Sequence, residues 1–234
     1  NMLKIFTILF SMIILSCTGI STITSNDSAW VKDTLNKLTL REKIAQMMVY
    51  RMNMKFMNFD SKEWNEIESL LTSDGIGVVH IWFGEAGSAL TMLNKMQKLS
   101  KVPLLVEGDI ESGLGRRYPG AVTLPPMMAI SATGNPQYAY KAGMISAIES
   151  RSVGMHFNLA PVVDVNNNPK NPIINTRSFG EHPDSVHRYS QEFIRGLHDY
   201  GMLATAKHFP GHGDTETDSH SALAQIPSDS LRLW

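Results

Sequence analysis

An α/β fold on a parallel sheet, wound as a (β/α)8 barrel of the TIM type, is the architecture this sequence predicts. Three observations lead there. Short apolar runs alternate with amphipathic helical stretches, the pattern of strands buried on both faces and covered by helices. Titratable residues follow successive strand runs, at Asp109, at Asp164 and at Lys207 with His208, as they do around the C-terminal mouth of a barrel. An open doubly wound sheet would gather them at one switch point, often beside a phosphate-binding fingerprint. Neither G-x-G-x-x-G nor a P-loop occurs in the sequence.

Composition bounds the function. Of 234 residues, 43% are hydrophobic and 18% charged, which supplies a core and excludes a disordered chain. The formal net charge of −1 lacks the basic excess of a nucleic-acid binder. One cysteine excludes an intramolecular disulfide framework and a Cys-based zinc site.

The elements follow in order. Lys4 precedes the apolar run from Ile5 to Leu15, then Ser16 and Cys17. A charged start, a short apolar stretch and small residues predict a secretory signal over residues 1–16. The run is short for a membrane span. Ile14-Leu15-Ser16-Cys17 resembles a bacterial lipobox, which would make Cys17 a lipidation site and the product a membrane-anchored lipoprotein of the cell envelope or periplasm. The alternative is a secreted protein whose signal contains a cysteine. Residues 17–29 are polar and read as a tether, and 30–234 as the folded barrel domain. Thr39 followed by Glu42 has capping-box spacing and predicts a short helix through Ile44 and Met47, with a first strand beginning over Met47–Tyr50. Trp64, Ile67, Leu70 and Leu71 share a helical face that Gly75 stops. Ile76–Phe83 reads as a buried strand, Leu90, Leu93 and Met96 as a helix face, and Val102–Val106 as a strand. Asn135-Pro136 opens a helix running to about Arg151. Phe157–Val165 is the next strand. Val186, Ser190, Phe193, Ile194 and Leu197 line a helix that Gly201 closes, and Met202–Ala206 is the last clear strand. That is about five strands, where a full barrel has eight.

Chemistry concentrates between Lys207 and His220, which hold three histidines, three acidic side chains and a lysine. Gly211 and Gly213 permit sharp turns there. Asp218 and His220 stand two apart, so the carboxylate can orient the imidazole and fix its tautomer for acid/base work. On residue types alone, two other readings stay open. His208, His212, Asp214 and His220 could ligate a metal, or the cluster could be a hydrogen-bonded structural loop.

Lys207-His208-Phe209-Pro210-Gly211-His212-Gly213 with Asp218-Ser219-His220 resembles the K-H-F-P-G-H-G…D-S-H signature of glycoside hydrolase family 3, in its β-N-acetylglucosaminidase branch. Asp109-Ile110-Glu111-Ser112-Gly113 through Arg117 resembles the family's D-x-E-x-G segment. Leu159–Val165 is similar to its L-A-P-V-x-D-V strand, and Asn175–Gly180 to its R-S-F-G loop. The resemblance runs from Trp30 to Trp234 and implies a retaining glycosidase without metal or cofactor. Its substrates would be non-reducing terminal N-acetylglucosaminides, such as peptidoglycan fragments or chitooligosaccharides. It implies that Lys207, His208, Asp109, Arg117 and Arg177 contact the sugar. His220 would be the acid/base and Asp218 its orienting partner. Asp164 would hold Lys207 or Arg177 in place, with His212 and Asp214 shaping the loop. Trp82 and Tyr118 could stack on a sugar, although core or rim roles suit them better. In the family the nucleophilic aspartate lies on a later strand, and no residue here matches its segment. The expectation is therefore a truncated barrel, inactive by itself. The rival readings are a family 3 β-glucosidase or phosphorylase, and a non-catalytic glycan-binding protein.

Overall fold

The computed structural model describes residues 25–226. The signal assigned to residues 1–16 and the lipidation site Cys17 lie outside the described residues. Two compact units divide after Leu38. In the first, helix α1 (Ser25–Lys37) begins inside the segment read as a tether. Its Asp33–Lys37 pair closes at 2.6 Å, one helical turn apart. Among the described residues no helix is long and apolar enough to cross a membrane.

The second unit carries the sheet. Its strands are β1 (Val49–Met54), β2 (Val78–Gly84), β3 (Leu105–Gly108), β4 (Phe157–Asn158) and β5 (Leu203–Ala204). All pair in parallel, in the order β1-β2-β3-β4-β5. Every strand lies beside its neighbours in the chain, which is the singly wound order of a barrel wall and has no switch point.

Local chemistry sets the ends of these elements. The capping box forms at helix α2 (Leu40–Ala45): Thr39 Oγ1 accepts from the Glu42 amide, and Glu42 Oε2 accepts from the Thr39 amide at 2.7 Å. Helix α3 (Lys62–Ser69) is capped by Ser61, buries Trp64 and Ile67, and runs into a π turn, Leu70–Asp74. Gly75 ends that turn at φ +76°, a conformation glycine adopts without steric cost. Helix α4 (Ala86–Leu99) buries Ala89, Met92, Leu93 and Met96, whereas Leu90, expected on the inner face, is 42% exposed.

The β3 ladder starts later than the expected Val102–Val106. Pro103 offers no N–H to a ladder. Both backbone groups of Leu104 are taken by the Gln97 side chain, each at 2.9 Å, so pairing begins at Leu105. The expected strand over Phe157–Val165 is likewise cut to two residues. Pro161 interrupts the N–H row, and pairing resumes only as a bridge between Val162 and Lys207.

Helices α5 (Met127–Ser131), α6 (Gln137–Ser152) and α7 (Pro183–Asp199) complete the unit. Asn135 Oδ1 accepts from the Gln137 amide at 3.0 Å to start α6. The α6 and α7 helices cross where two glycines face the opposing backbone. A Cβ on Gly143 would lie 2.1 Å from the Phe193 carbonyl oxygen, and one on Gly196 2.2 Å from that of Tyr140. Gly143→Ala must push the helices apart. Helix propensity favours alanine by about 1 kcal/mol, but overpacking costs about 1–3 kcal/mol, so we expect net destabilisation, read as a lower thermal midpoint. A raised midpoint would mean the crossing is looser than these distances imply.

Candidate active site

Two strand ends deliver the first group of side chains. After β3 the chain is clamped by Asn158, fully buried on β4. Its Oδ1 accepts from the Ile110 amide and its Nδ2 donates to the Ile110 carbonyl, both at 3.0 Å. That clamp fixes Asp109 and Glu111 on either side. After β5 the Lys207 amide donates to the Pro161 carbonyl at 3.1 Å, and the Lys207 carbonyl accepts from Val163 at 2.6 Å. These bonds carry Lys207 toward the same end of the sheet.

There the charges interlock. Lys207 Nζ lies 2.5 Å from Asp109 Oδ1 and 2.7 Å from Glu111 Oε1. Arg177 meets Glu111 with both ends of its fork, Nε to Oε2 at 2.9 Å and Nη2 to Oε1 at 2.7 Å, a geometry that fixes direction as well as charge. Arg117 donates from Nε to the Asp109 carbonyl at 3.3 Å, and its Nη2 stands 3.8 Å from Asp109 Oδ2. Burial pushes the Glu111 carboxyl up, but the Arg177 hydrogen bonds and the Lys207 charge outweigh it and hold it at about 2. The same hydrogen bonds raise Arg177 above its ordinary value. Three cations and two carboxylates thus form a half-buried lattice of donors and acceptors.

A second group gathers on Asp164, whose side chain is fully buried. Its Oδ2 accepts from His208 Nδ1 at 2.6 Å, and its Oδ1 accepts from the His212 amide at 2.6 Å. The His208 amide points at both oxygens at 3.3 Å. The expected partners of Asp164, Lys207 or Arg177, are replaced by His208 and His212, because Glu111 already occupies those two cations. His212 is buried, with Nδ1 against Thr215 Oγ1 and Nε2 3.2 Å from Ser219 Oγ. The Thr215 hydroxyl donates to the His212 carbonyl, so Nδ1 carries the hydrogen and Nε2 accepts from Ser219.

The Asp218–His220 pair stands outside both groups. Asp218 Oδ1 accepts from His220 Nδ1 at 2.7 Å and from the His220 amide at 2.9 Å. Those bonds, backbone first, hold the Asp218 carboxyl below its ordinary value. The imidazole is 76% exposed and makes no hydrogen bond to Asp109, Arg177, Lys207 or His208. A cleft of about 240 Å³ lies between the His208–His212 turn and Ala222–Ile226. Asp214 offers its backbone carbonyl to Asn168 Nδ2 at 2.9 Å. Among the described residues no group of three or more His, Cys, Asp or Glu side chains is arranged to hold a metal ion.

Tyr118 and Trp82 take the kind of core and rim places that suit them better than stacking on a sugar. Tyr118 is completely buried. Trp82 has two guanidinium groups against its ring, Arg117 at 3.7 Å and Arg51 at 4.2 Å from the ring centre, so it braces arginines. Asn158 and Asn171, which organise the site, escape a reading of the sequence, and Glu111 stands in it only as part of the D-x-E-x-G segment, with no role. Charge counting could have found Glu111, since Arg117, Arg177 and Lys207 at one strand-end cluster demand more than the single carboxylate of Asp109. No sequence signal marks the two asparagines.

Residues 39–234 match the family model of the Glycosyl hydrolase family 3 N terminal domain. A Beta-N-acetylglucosaminidase/beta-glucosidase of Cellulomonas fimi is 29% identical over 209 residues, 88% of this chain and 35% of that protein. A glycoside hydrolase family 3 beta-N-acetylglucosaminidase structure from Paenibacillus aligns with a TM-score of 0.75 and 36% identity. That alignment covers 84% of this chain and 38% of the other. A Beta-glucoside phosphorylase bound to 2FGlc aligns at 0.76 and 27% identity, over 88% and 36%. The chain therefore spans little more than a third of the length of these relatives.

Proposed function

Because the chain belongs to glycoside hydrolase family 3, we propose that it supplies the sugar pocket and the acid/base loop of a β-N-acetylglucosaminidase acting on non-reducing terminal residues. The observation that carries this reading is the Asp218–His220 pair. A carboxylate that accepts from Nδ1–H leaves Nε2 as the site of proton exchange, and an imidazole suits general acid/base work near neutral pH. In a retaining reaction such a group protonates the leaving oxygen while a carboxylate attacks the anomeric carbon, then takes a proton from water as the glycosyl-enzyme is hydrolysed. The attacking carboxylate is assigned to no residue of this chain.

The charge lattice suits the other half of the task. Adjacent sugar hydroxyls each donate and accept, and Asp109, Glu111, Lys207 and Arg177 present both functions within one cluster. His208, fixed by Asp164, adds an oriented imidazole at its edge. Export, and lipid attachment at Cys17, belong to the same proposal and rest on the residues from Lys4 to Cys17.

The test uses the full gene product on aryl N-acetyl-β-glucosaminides and aryl β-glucosides, with and without phosphate. The expected result is a preference for the N-acetyl sugar and no acceleration by phosphate. Sugar 1-phosphate as product would favour phosphorolysis, the reading that the phosphorylase likeness supports. Sugar binding without turnover would mean a lectin-like protein. His220→Ala should lower turnover of a poor leaving group by about 10²–10⁴-fold, the span of general acid/base catalysis, and spare an activated one. Unchanged turnover of the poor leaving group would remove His220 from the mechanism.

A further inference from the structure

We propose that Asn171 is a positioning residue for the Asp218–His220 pair, setting where the acid/base loop leaves the barrel mouth; this rests on the reading of that pair as the proton donor. Asn171 is buried in the segment that follows β4, and its side chain faces two segments at once. Nδ2 donates into the carbonyls of His212 at 2.7 Å, Gly213 at 3.3 Å and Thr215 at 3.0 Å. Oδ1 accepts from the amides of Ile173 at 2.9 Å and Ile174 at 2.7 Å. Carbonyls on one side and amides on the other leave a single possible orientation for the group.

The surroundings make the same junction. Asn168 Nδ2 reaches the Asp214 carbonyl at 2.9 Å, and Lys170 stands 3.6 Å from Glu216. A Cβ on Gly213 would lie 1.7 Å from the Val165 carbonyl oxygen, so this backbone is pressed directly on the segment after β4. Residues 212–216 are thus held by the segment after β4 at nearly every position. Beyond Glu216, among the described residues, the hydrogen bonds of Asp218, Ser219 and His220 stay within the loop. The direction in which Asp218 and His220 project is therefore decided at the 212–216 junction, and Asn171 is its centre. A shift of about 1 Å in a catalytic group can cost about 10²-fold in rate.

The experiment separates positioning from general damage by leaving-group dependence. Asn171→Asp keeps the acceptor for Ile173 and Ile174 but sets an oxygen against three carbonyls. Asn168→Asp does the same more gently at its one contact. Both are made in the full gene product beside His220→Ala, and kcat/KM is measured on aryl N-acetyl-β-glucosaminides ranging from dinitrophenyl to unsubstituted phenyl. The expected result for Asn171→Asp is a loss of about 10–100-fold on the poorest leaving group and under about threefold on the best, a fraction of general acid catalysis. Asn168→Asp should show the same slope, shallower. Equal losses across the series, or none, while His220→Ala remains steeply dependent, would overturn the assignment of Asn171 alone. A flat series for His220→Ala would overturn the acid/base reading beneath it. If Asn171→Asp does not fold, the slope of Asn168→Asp decides.

Discussion

A Glu111→Gln protein is expected to be about 3 kcal/mol less stable than its parent at neutral pH, and to approach parity as the medium becomes acidic. Glu111 is the hinge of the charge lattice: one oxygen serves both Lys207 and Arg177, and the other completes the Arg177 fork. Burial opposes its charge, yet those two cations bring the carboxyl down from 4.5 to about 2. At about 1.4 kcal/mol for each tenfold change in proton affinity, that displacement corresponds to roughly 3 kcal/mol of folding free energy. A group depressed on folding contributes fully above its unfolded value and loses the contribution as pH falls through the folded one. The stabilisation should therefore be complete above about 4.5 and should drain away between there and about 2. Urea unfolding of both proteins at pH 6, 4 and 3 measures it. A gap between parent and variant that stays constant across this range would mean that shape, not charge, is what Glu111 provides. Glutamine leaves Arg177 and Lys207 without a shared anion, so under the proposed function sugar affinity should fall with stability.

Why the role of Glu111 escapes a reading of the sequence is a matter of distance along the chain. Its fork to Arg177 spans 66 positions, and Lys207 reaches Asp109 across 98. Patterns of apolar residues and end signals act over a few positions, and where they act they are legible. Thr39 and Glu42 form their box, Gly75 takes a left-handed turn, and the run over Ile76–Phe83 becomes the strand Val78–Gly84. Strand order is also legible, since reactive residues after successive strands imply a singly wound sheet. Strand length is less so, because Gln97 and Pro161 act on pairing from outside the hydrophobic pattern. Asp109 and Lys207 converge as their placement after successive strands suggests, and Arg117 and Arg177, to which only the family resemblance points, join them. The partner of each does not follow from placement. Asp164 could have met Lys207 or His208, and only the course of the backbone after Pro161 brings the His208 and His212 amides to it.

Asp164→Ala carries the second large effect, and its cause differs in kind. The carboxylate has no exposed surface and accepts from three directions: the His208 ring, the His208 amide and the His212 amide. Burial alone would push its carboxyl up, but the His208 ring and the His212 amide overcome that and hold it below its ordinary value of 3.8. Alanine leaves two amides and a ring nitrogen facing a void. The His208 ring is partly exposed and can return to water, whereas the buried His212 amide cannot. An unsatisfied buried donor costs about 1–3 kcal/mol, and the variant should lose about that much. Asp164→Asn would restore the volume and one acceptor but turn an N–H₂ toward a donor, and should recover only part of the loss. The pH signature follows from the depressed carboxyl. The parent should hold this stability above the ordinary value of 3.8 and shed it below, while the alanine variant has none to shed. Under the proposed function, sugar affinity should fall further than stability, since the same carboxylate orients the His208 ring and seats His212. Denaturant unfolding gives the first quantity and sugar affinity the second. A variant with normal stability but weakened sugar binding would confine Asp164 to orienting His208, and the opposite pattern would confine it to holding the loop.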